Sequence, residues 1–160
     1  MPKIDLAAIA QTNVTGYPPP YDVAVQGRWY RRLAPESGLT QFAASHVTLK
    51  PGAYSSQRHW HDDEDEFMVM IAGSAVLVED AGETPLAPGD CAAWPKGTGD
   101  GHHLINRGTT DCVFVVIGGG PNRNRSDPPA GGGYSDIDML FTGDGNYTTR
   151  DGTPFAARRA

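Results

Sequence analysis

The sequence has no long hydrophobic stretch and very little cysteine. None of its apolar runs approaches the ~18 residues of a membrane-spanning helix, and its opening residues lack the apolar core of a signal peptide. The two cysteines, Cys91 and Cys112, fall inside predicted strands without the paired spacing of a zinc site. We therefore predict a cytoplasmic protein without a membrane partner, in which both cysteines are buried as small apolar side chains.

Positive charge is also scarce. Lysine and arginine number 13 against 19 acidic residues, which gives a net charge of −6 at pH 7. Such a balance argues against nucleic acid as a partner. The basic cluster Arg28, Arg31 and Arg32 could be a solvated face or part of an anion site, and the solvated face is the favoured interpretation.

Turn-forming residues are abundant by contrast. Twenty glycines and 13 prolines separate short apolar runs, a pattern typical of an all-β barrel and not of a helical bundle. We divide the single domain into an N-terminal arm with the first strands (1–38), a barrel core (39–118), and a long loop, final strand and C-terminal arm (119–160). The loop is the breaker-rich run 118–133, and residues 134–141 are predicted to form the final strand.

The chemistry concentrates around His59 and His61, which one residue separates. On a strand the two imidazoles share a face, whereas on a helix they would diverge by about 200°. Glu66 follows an acidic turn and directly precedes the apolar run 67–71. These nitrogen and oxygen ligands, with a later histidine, suit a first-row divalent metal that keeps open positions for substrate.

Other interpretations of the same residues remain open. The two histidines could lie on an exposed edge strand, and the run 62–66 could be a solvated acidic face. By proximity, Asp63, Glu64 or Glu66 could each be the carboxylate ligand. Glu66 is favoured because it begins the apolar strand.

Two ordered motifs resemble those of the cupin family. The first motif, G(x)5HxH(x)3–4E(x)6G, is matched with one extra residue before the first histidine by Gly52, His59, His61, Glu66 and Gly73. The second motif, G(x)5PxG(x)2H(x)3N, is matched with two extra residues before the histidine by Gly89, Pro95, Gly97, His102 and Asn106. The spacing to Asn106 favours His102 over His103 as a ligand.

The resemblance implies a single double-stranded β-helix, the jelly-roll barrel of cupins, with extended N- and C-terminal arms. It also implies one divalent ion (Fe, Mn, Zn or Ni) held by His59, His61, Glu66 and His102. The end of the chain, YSDIDML followed by YTTRDGTPF, resembles the C-termini of small single-domain cupins loosely called sugar-phosphate-isomerase-like.

Strand parity then suggests which side chains surround the metal. The expected pocket residues, which could also be plain core, are Met68, Met70, Leu104 and Asn106. The candidates for orienting or proton-transferring groups, each of which could also be structural, are Tyr54, Gln57 and His103, and His103 is expected to face outward. No general base stands out among them.

The function we expect is that of a small mononuclear metalloenzyme that binds an oxygen-bearing small molecule through two oxygens. It would be an isomerase or lyase on a carbohydrate-like substrate, or an Fe-dependent dioxygenase. The alternatives are a non-catalytic, metal-dependent binding or sensor protein and a metal-free barrel. Outward-facing Trp60, Phe67 and Val69 predict a homodimer.

Overall fold

The computed structural model describes residues 3–119, 131–142 and 146–156, and within these ranges short apolar runs form twelve strands. The strands are β1 Arg28–Arg32, β2 Ala43–Leu49, β3 His59–His61, β4 Glu66–Ala72, β5 Ala75–Glu79, β6 Gly82–Leu86, β7 Cys91–Trp94, β8 His103–Ile105, β9 Cys112–Gly118, β10 Gly132–Tyr134, β11 Leu140–Phe141 and β12 Tyr147–Thr148. One short α-helix, α1 (Leu33–Glu36), and two 3₁₀ turns, Leu6–Ala8 and Val23–Val25, accompany them. The all-β class is confirmed.

Three antiparallel sheets make up the barrel. Their strand orders are β1-β2-β9-β4-β7, β12-β11-β10-β3 and β6-β5-β8. The main core lies between the first and third sheets, where Leu49, Met68, Met70, Leu77 and Phe114 pack together. A smaller core, centred on Tyr17, Tyr134 and Met139, lies against the second sheet. The second sheet carries the His-x-His strand and therefore depends on this smaller core.

The five-stranded sheet has an apolar outer face as well as an apolar inner one. Phe67 is 40% exposed, Ile71 51% and Ile117 37%. Cys91 is exposed on this sheet, so its predicted burial is wrong, whereas Cys112 is buried as expected. Residue 91 lies on β7, an edge strand of this sheet. The homodimer predicted from such outward side chains stays a prediction.

The N-terminal arm follows β1 of its own domain. Thr12 and Tyr30 form an isolated bridge, and the Arg31 side chain donates to the Ile9 carbonyl at 3.1 Å. Before and after β1 the chain is not extended, because a 3₁₀ turn occupies Val23–Val25 and α1 begins at Leu33. Within the described ranges, no helix is long and apolar enough to cross a membrane. The cytoplasmic location stays a prediction.

The glycine-rich run predicted as a loop contains β10. A Cβ on Gly132 would lie 2.1 Å from the Trp60 carbonyl oxygen, and a Cβ on Gly133 2.5 Å from the Trp60 ring. Glycine is therefore what lets β10 pair so closely with β3. Residues 120–130 of the predicted loop lie outside the described residues.

The predicted final strand over 134–141 is interrupted. β10 ends at Tyr134, residues 135–138 form a bend, and β11 begins at Leu140. The Arg58 guanidinium holds Asp136 in this bend at 2.9 Å, and the bend buries Met139 completely. The alternation of apolar and polar residues over 135–138 therefore does not reflect a strand.

Candidate metal centre

The His-x-His strand β3 is only three residues long and is held from both sides. It pairs with β10, and His59 forms backbone hydrogen bonds with His102 of 2.9 and 3.2 Å. Glu66 begins β4 after the acidic turn, as the sequence predicts. This local arrangement brings the three histidines around one carboxylate.

The imidazole nitrogens of all three histidines converge on one oxygen of Glu66. Glu66 Oε2 lies 3.3 Å from His102 Nε2, 3.4 Å from His61 Nε2 and 3.9 Å from His59 Nε2. Donor atoms of His59, His61 and Glu66 all lie within 4.8 Å of one another. His102 lies outside that tighter group but directly contacts its carboxylate.

Contacts behind the cluster fix two of the rings. His59 Nδ1 lies 3.1 Å from the Gln57 carbonyl, which can only accept, so Nδ1 carries the proton. His59 Nε2 therefore bears a lone pair. The Trp94 ring stacks on His102 at 3.9 Å with 5° between the planes, and its indole N–H donates to Glu79 at 2.7 Å.

Burial and hydrogen bonding set the charges of the cluster. Burial lowers the pKa of His59 to about 3, against the opposing charge of Glu66. Burial alone would raise the pKa of Glu66, but hydrogen bonds from His102 and His61 outweigh it and hold that pKa below its usual range. A neutral imidazole and an ionised carboxylate are the forms that bind a metal ion.

The donor set fits a divalent cation on physical grounds. The lone pair on His59 Nε2 approaches an ionised oxygen of Glu66 at 3.9 Å, an unfavourable pairing that a cation between them would relieve. Among the described residues, His61 Nδ1 and His102 Nδ1 are also buried without a hydrogen-bond partner. The imidazole and carboxylate ligands are those expected for Fe, Mn, Zn or Ni.

A cavity of about 800 Å³ opens onto the cluster, and two of the four predicted pocket residues line it. Met68 and Leu104 line the cavity, whereas Met70 and Asn106 do not. Met70 packs into the main core. The Asn106 amide donates to the Leu49 and Thr110 carbonyls, both at 2.8 Å. The Asn106 side chain therefore stabilises a turn, and its amide is already used in these hydrogen bonds instead of facing the pocket.

Of the three candidate orienting groups, one lines the cavity and two do not. Tyr54 and Gln57 are absent from the cavity lining; the Gln57 amide donates to the Tyr21 carbonyl at 2.7 Å. His103 lines the cavity and is 6% exposed, so its predicted outward orientation is wrong. Both faces of β8 are covered, so alternation of side chains along this strand does not distinguish an inner face from an exposed one. His103 Nδ1 donates to the Ser56 carbonyl at 3.1 Å, and burial lowers the pKa of its imidazole.

Several cavity residues were missed or assigned elsewhere by the sequence argument. Arg28 and Arg32 line the cavity; Arg28 is half-buried, whereas Arg32 is also exposed to solvent as the favoured interpretation expects. Glu64, 7% exposed, also lines it and places Oε2 3.6 Å from His61 Nδ1. The remaining aromatic wall comes from the arms and the final strands, namely Tyr17, Tyr134, Phe141 and Tyr147. Nothing local in the sequence places these aromatic residues beside the histidines.

Comparison with known proteins identifies the family. The Cupin domain model matches residues 45–118. The crystal structure of a sugar phosphate isomerase from a cupin superfamily, from Silicibacter pomeroyi DSS-3, is 40% identical, with 99% of each chain covered and a TM-score of 0.88. The chain belongs to the cupin superfamily. The jelly-roll barrel implied by the two motifs is thereby confirmed.

More distant cupin-like structures show the fold alone. A candidate sugar phosphate isomerase from Acidithiobacillus ferrooxidans is 23% identical over 84% of each chain, with a TM-score of 0.65. The polyketide cyclase RemF from Streptomyces resistomycificus is 19% identical, covers 74% of this cupin and 78% of its own chain, and has a TM-score of 0.62. No curated protein sequence matches significantly.

Proposed function

We propose that this cupin is a mononuclear metalloenzyme, an isomerase or lyase that acts on a small hydroxy-carbonyl compound bound through two oxygens. The observation that carries the proposal is the convergence of three imidazole nitrogens on Glu66 Oε2, within 3.9 Å, at the wall of a cavity. The 40% identical Silicibacter pomeroyi protein, named a sugar phosphate isomerase, supports this reaction class.

His59, His61, Glu66 and His102 are the residues that would hold the ion. A divalent ion bound there would supply Lewis-acid polarisation of a substrate carbonyl. An ion held by these four residues that accepts six ligands would have two positions left, enough for a substrate that offers two oxygens.

The chain's own side chains supply the rest of the proposed chemistry. Met68, Leu104 and Phe114 give the cavity an apolar wall that excludes water from the reacting carbons. Glu64 lines the same cavity with a carboxylate that can accept a proton at Oε2 from a carbon next to the carbonyl. His103, with its proton on Nδ1, keeps Nε2 as an acceptor and can orient a substrate hydroxyl.

The test is elemental analysis of purified protein. Wild type should contain about one equivalent of a divalent metal, and His61→Ala and Glu66→Ala should contain almost none. His46→Ala is the matched control, because His46 lies on β2 outside the cavity lining and should leave the metal content unchanged. A wild-type protein that takes up no Fe, Mn, Zn or Ni on reconstitution would contradict the proposal. Tightly held iron with oxygen consumption on a diketone would favour the dioxygenase instead.

The same proposal includes a homodimer in which a second copy covers the outer face of the five-stranded sheet. The exposed side chains Phe67, Ile71 and Ile117 are the apolar surface it would bury. Sedimentation at micromolar concentration should give the mass of a dimer, and Phe67→Glu should shift it towards the monomer. A wild-type monomer at that concentration would rule the dimer out.

A further inference from the structure

Strand β1 turns two arginines towards the cavity, the half-buried Arg28 and, at the end of the strand, the exposed Arg32. In its register with β2, Arg28 lies opposite Leu49 and Arg32 opposite Ser45. Leu49 is completely buried in the main core, so this face of β1 is the inner one. Both arginines line the cavity that contains the metal cluster. Charged side chains seldom occupy the inner face of a small barrel without a partner or a function.

The two guanidinium groups have little polar compensation within the part of the chain that the structure describes. Among the described residues, Arg28 and Arg32 form no ion pair, although both lie over the Tyr30 ring at 5.3 and 5.8 Å. Arg28 uses one terminal nitrogen to donate to the Ser55 carbonyl at 2.9 Å. Its Nε is buried and has no hydrogen-bond partner among the described residues. An unsatisfied buried donor of this kind destabilises the fold unless a ligand accepts a hydrogen bond from it.

The phenol groups of Tyr17 and Tyr147 line the same cavity as Arg28. Burial raises the pKa of both Tyr17 and Tyr147, while the charge of Arg28 acts in the opposite direction on each. Both side chains are therefore protonated at neutral pH and lie near enough to sense the guanidinium. Hydroxyl donors beside an arginine are the partners that a tetrahedral oxyanion accepts from.

The metal cluster and this basic group line the same cavity of about 800 Å³. Arg28 bonds to Ser55, and the next residue, Ser56, places its hydroxyl 3.2 Å from His59 Nδ1. A single small molecule can therefore reach both places. The charges agree, because the two arginines of the lining balance Glu64 and Glu66, so a divalent ion would leave two positive charges in excess.

We propose that Arg28 and Arg32 form a subsite for a phosphate monoester, the anionic end of the substrate whose oxygens meet the metal centre. The planar guanidinium fork fits a phosphate through two parallel hydrogen bonds. The identity of the whole substrate rests on the proposed function, but the anion subsite exists in the protein without metal.

Calorimetric titration with inorganic phosphate tests the subsite. The measurement uses metal-free protein and metal-loaded protein, with wild type, Arg28→Gln, Arg32→Gln and the control Arg31→Gln. Arg31 lies between the two on β1, points to the other face towards Ile9, and its substitution changes the net charge equally. Circular dichroism and thermal unfolding establish that each variant is folded, and the exposed Arg32 keeps the test valid if Arg28→Gln does not fold.

Phosphate should bind metal-free wild type and Arg31→Gln alike, and each of the other two variants should bind at least about tenfold more weakly. Arg28→Lys, which keeps the charge but not the fork, should recover only part of the affinity. Absence of binding to metal-free wild type, or equal loss in Arg31→Gln, would overturn the subsite. Phosphate binding without any metal uptake would refute the proposed function and leave the subsite standing.

Discussion

The two ends of the cavity are built in different ways. At the donor end, His59, His61 and Glu66 come from eight consecutive positions: strand alternation puts both imidazoles on one face of β3, and the turn before β4 brings Glu66 to them. At the basic end, Arg28 and Arg32 reach the cavity only because β1 pairs with β2 in one particular register. The comparison teaches that a chelating motif can be identified locally, whereas the group that selects a substrate depends on pairing between distant segments.

Glu66→Gln separates the two ends most sharply. It keeps the shape of the side chain but removes the ionised oxygen on which three imidazoles converge. We expect metal affinity to fall by about 100-fold or more, measured by competition with a chelator. Phosphate affinity of the metal-free protein should not fall, because the variant removes a negative charge from the same cavity. Glu83→Gln, at the surface beside Arg107, is the control, and an equal loss of metal there would contradict the assignment.

Trp94→Leu alters the donor end from behind. Without the ring stacked at 3.9 Å, His102 loses its fixed orientation towards Glu66. Metal affinity should fall by about 10- to 100-fold, and Trp94→Phe should restore part of it. If both variants bind metal like wild type, His102 is not held by this contact.

Gly132→Ala tests whether the closeness of β10 and β3 supports the donor end. Its Cβ would meet the Trp60 carbonyl oxygen, so the free energy of unfolding should fall by about 3 kcal/mol in chemical denaturation. Gly131→Ala is the neighbouring control, where the nearest atom is a flexible Asp62 carboxylate oxygen at 3.3 Å. Equal stability of the two variants would mean that β10 and β3 are not packed closely enough at Gly132 to exclude a Cβ atom.

The smallest predicted effect is on the pH dependence of stability and comes from Tyr17, at the basic end of the cavity. Burial raises the pKa of Tyr17 to about 12 from 10.0. Between these pH values the unfolded chain releases the phenol proton while the folded chain keeps it, so stability falls as the pH rises. Tyr17→Phe should reduce that alkaline loss by at most about 2 kcal/mol, measured as unfolding free energy from pH 9 to 12. Parallel curves would show that the phenol does not contribute.

Sequence reasoning reached the donor end because its signals are local. The parity of His59 and His61 and the place of Glu66 at the start of an apolar strand required no knowledge of the fold. Alternation failed at His103, since β8 is covered on both faces. Composition misled the prediction at β10, because glycines that are typical of a loop here permit close strand pairing.

The basic end could not be assigned from the sequence for a different reason. Arg28 and Arg32 are neighbours of Arg31, and the three together have the composition of a solvated surface. Only the pairing with β2 shows that Arg28 and Arg32 share the face of β1 that lines the cavity, whereas Arg31 lies on the other face. The aromatic wall from Tyr134 and Tyr147 depends on packing between the two termini, which no local pattern encodes.

The pairing of β3 with β10 also determines when this protein can acquire its chemistry. β3 ends at residue 61, but its neighbour is complete only at residue 134, near the end of the 160-residue chain. During synthesis, the histidines therefore leave the ribosome long before the strand that holds them in place. Such non-local pairing forms slowly and late. The nascent chain thus carries its histidines before the strand that organises them, and the proposed metal site would be completed only late in folding.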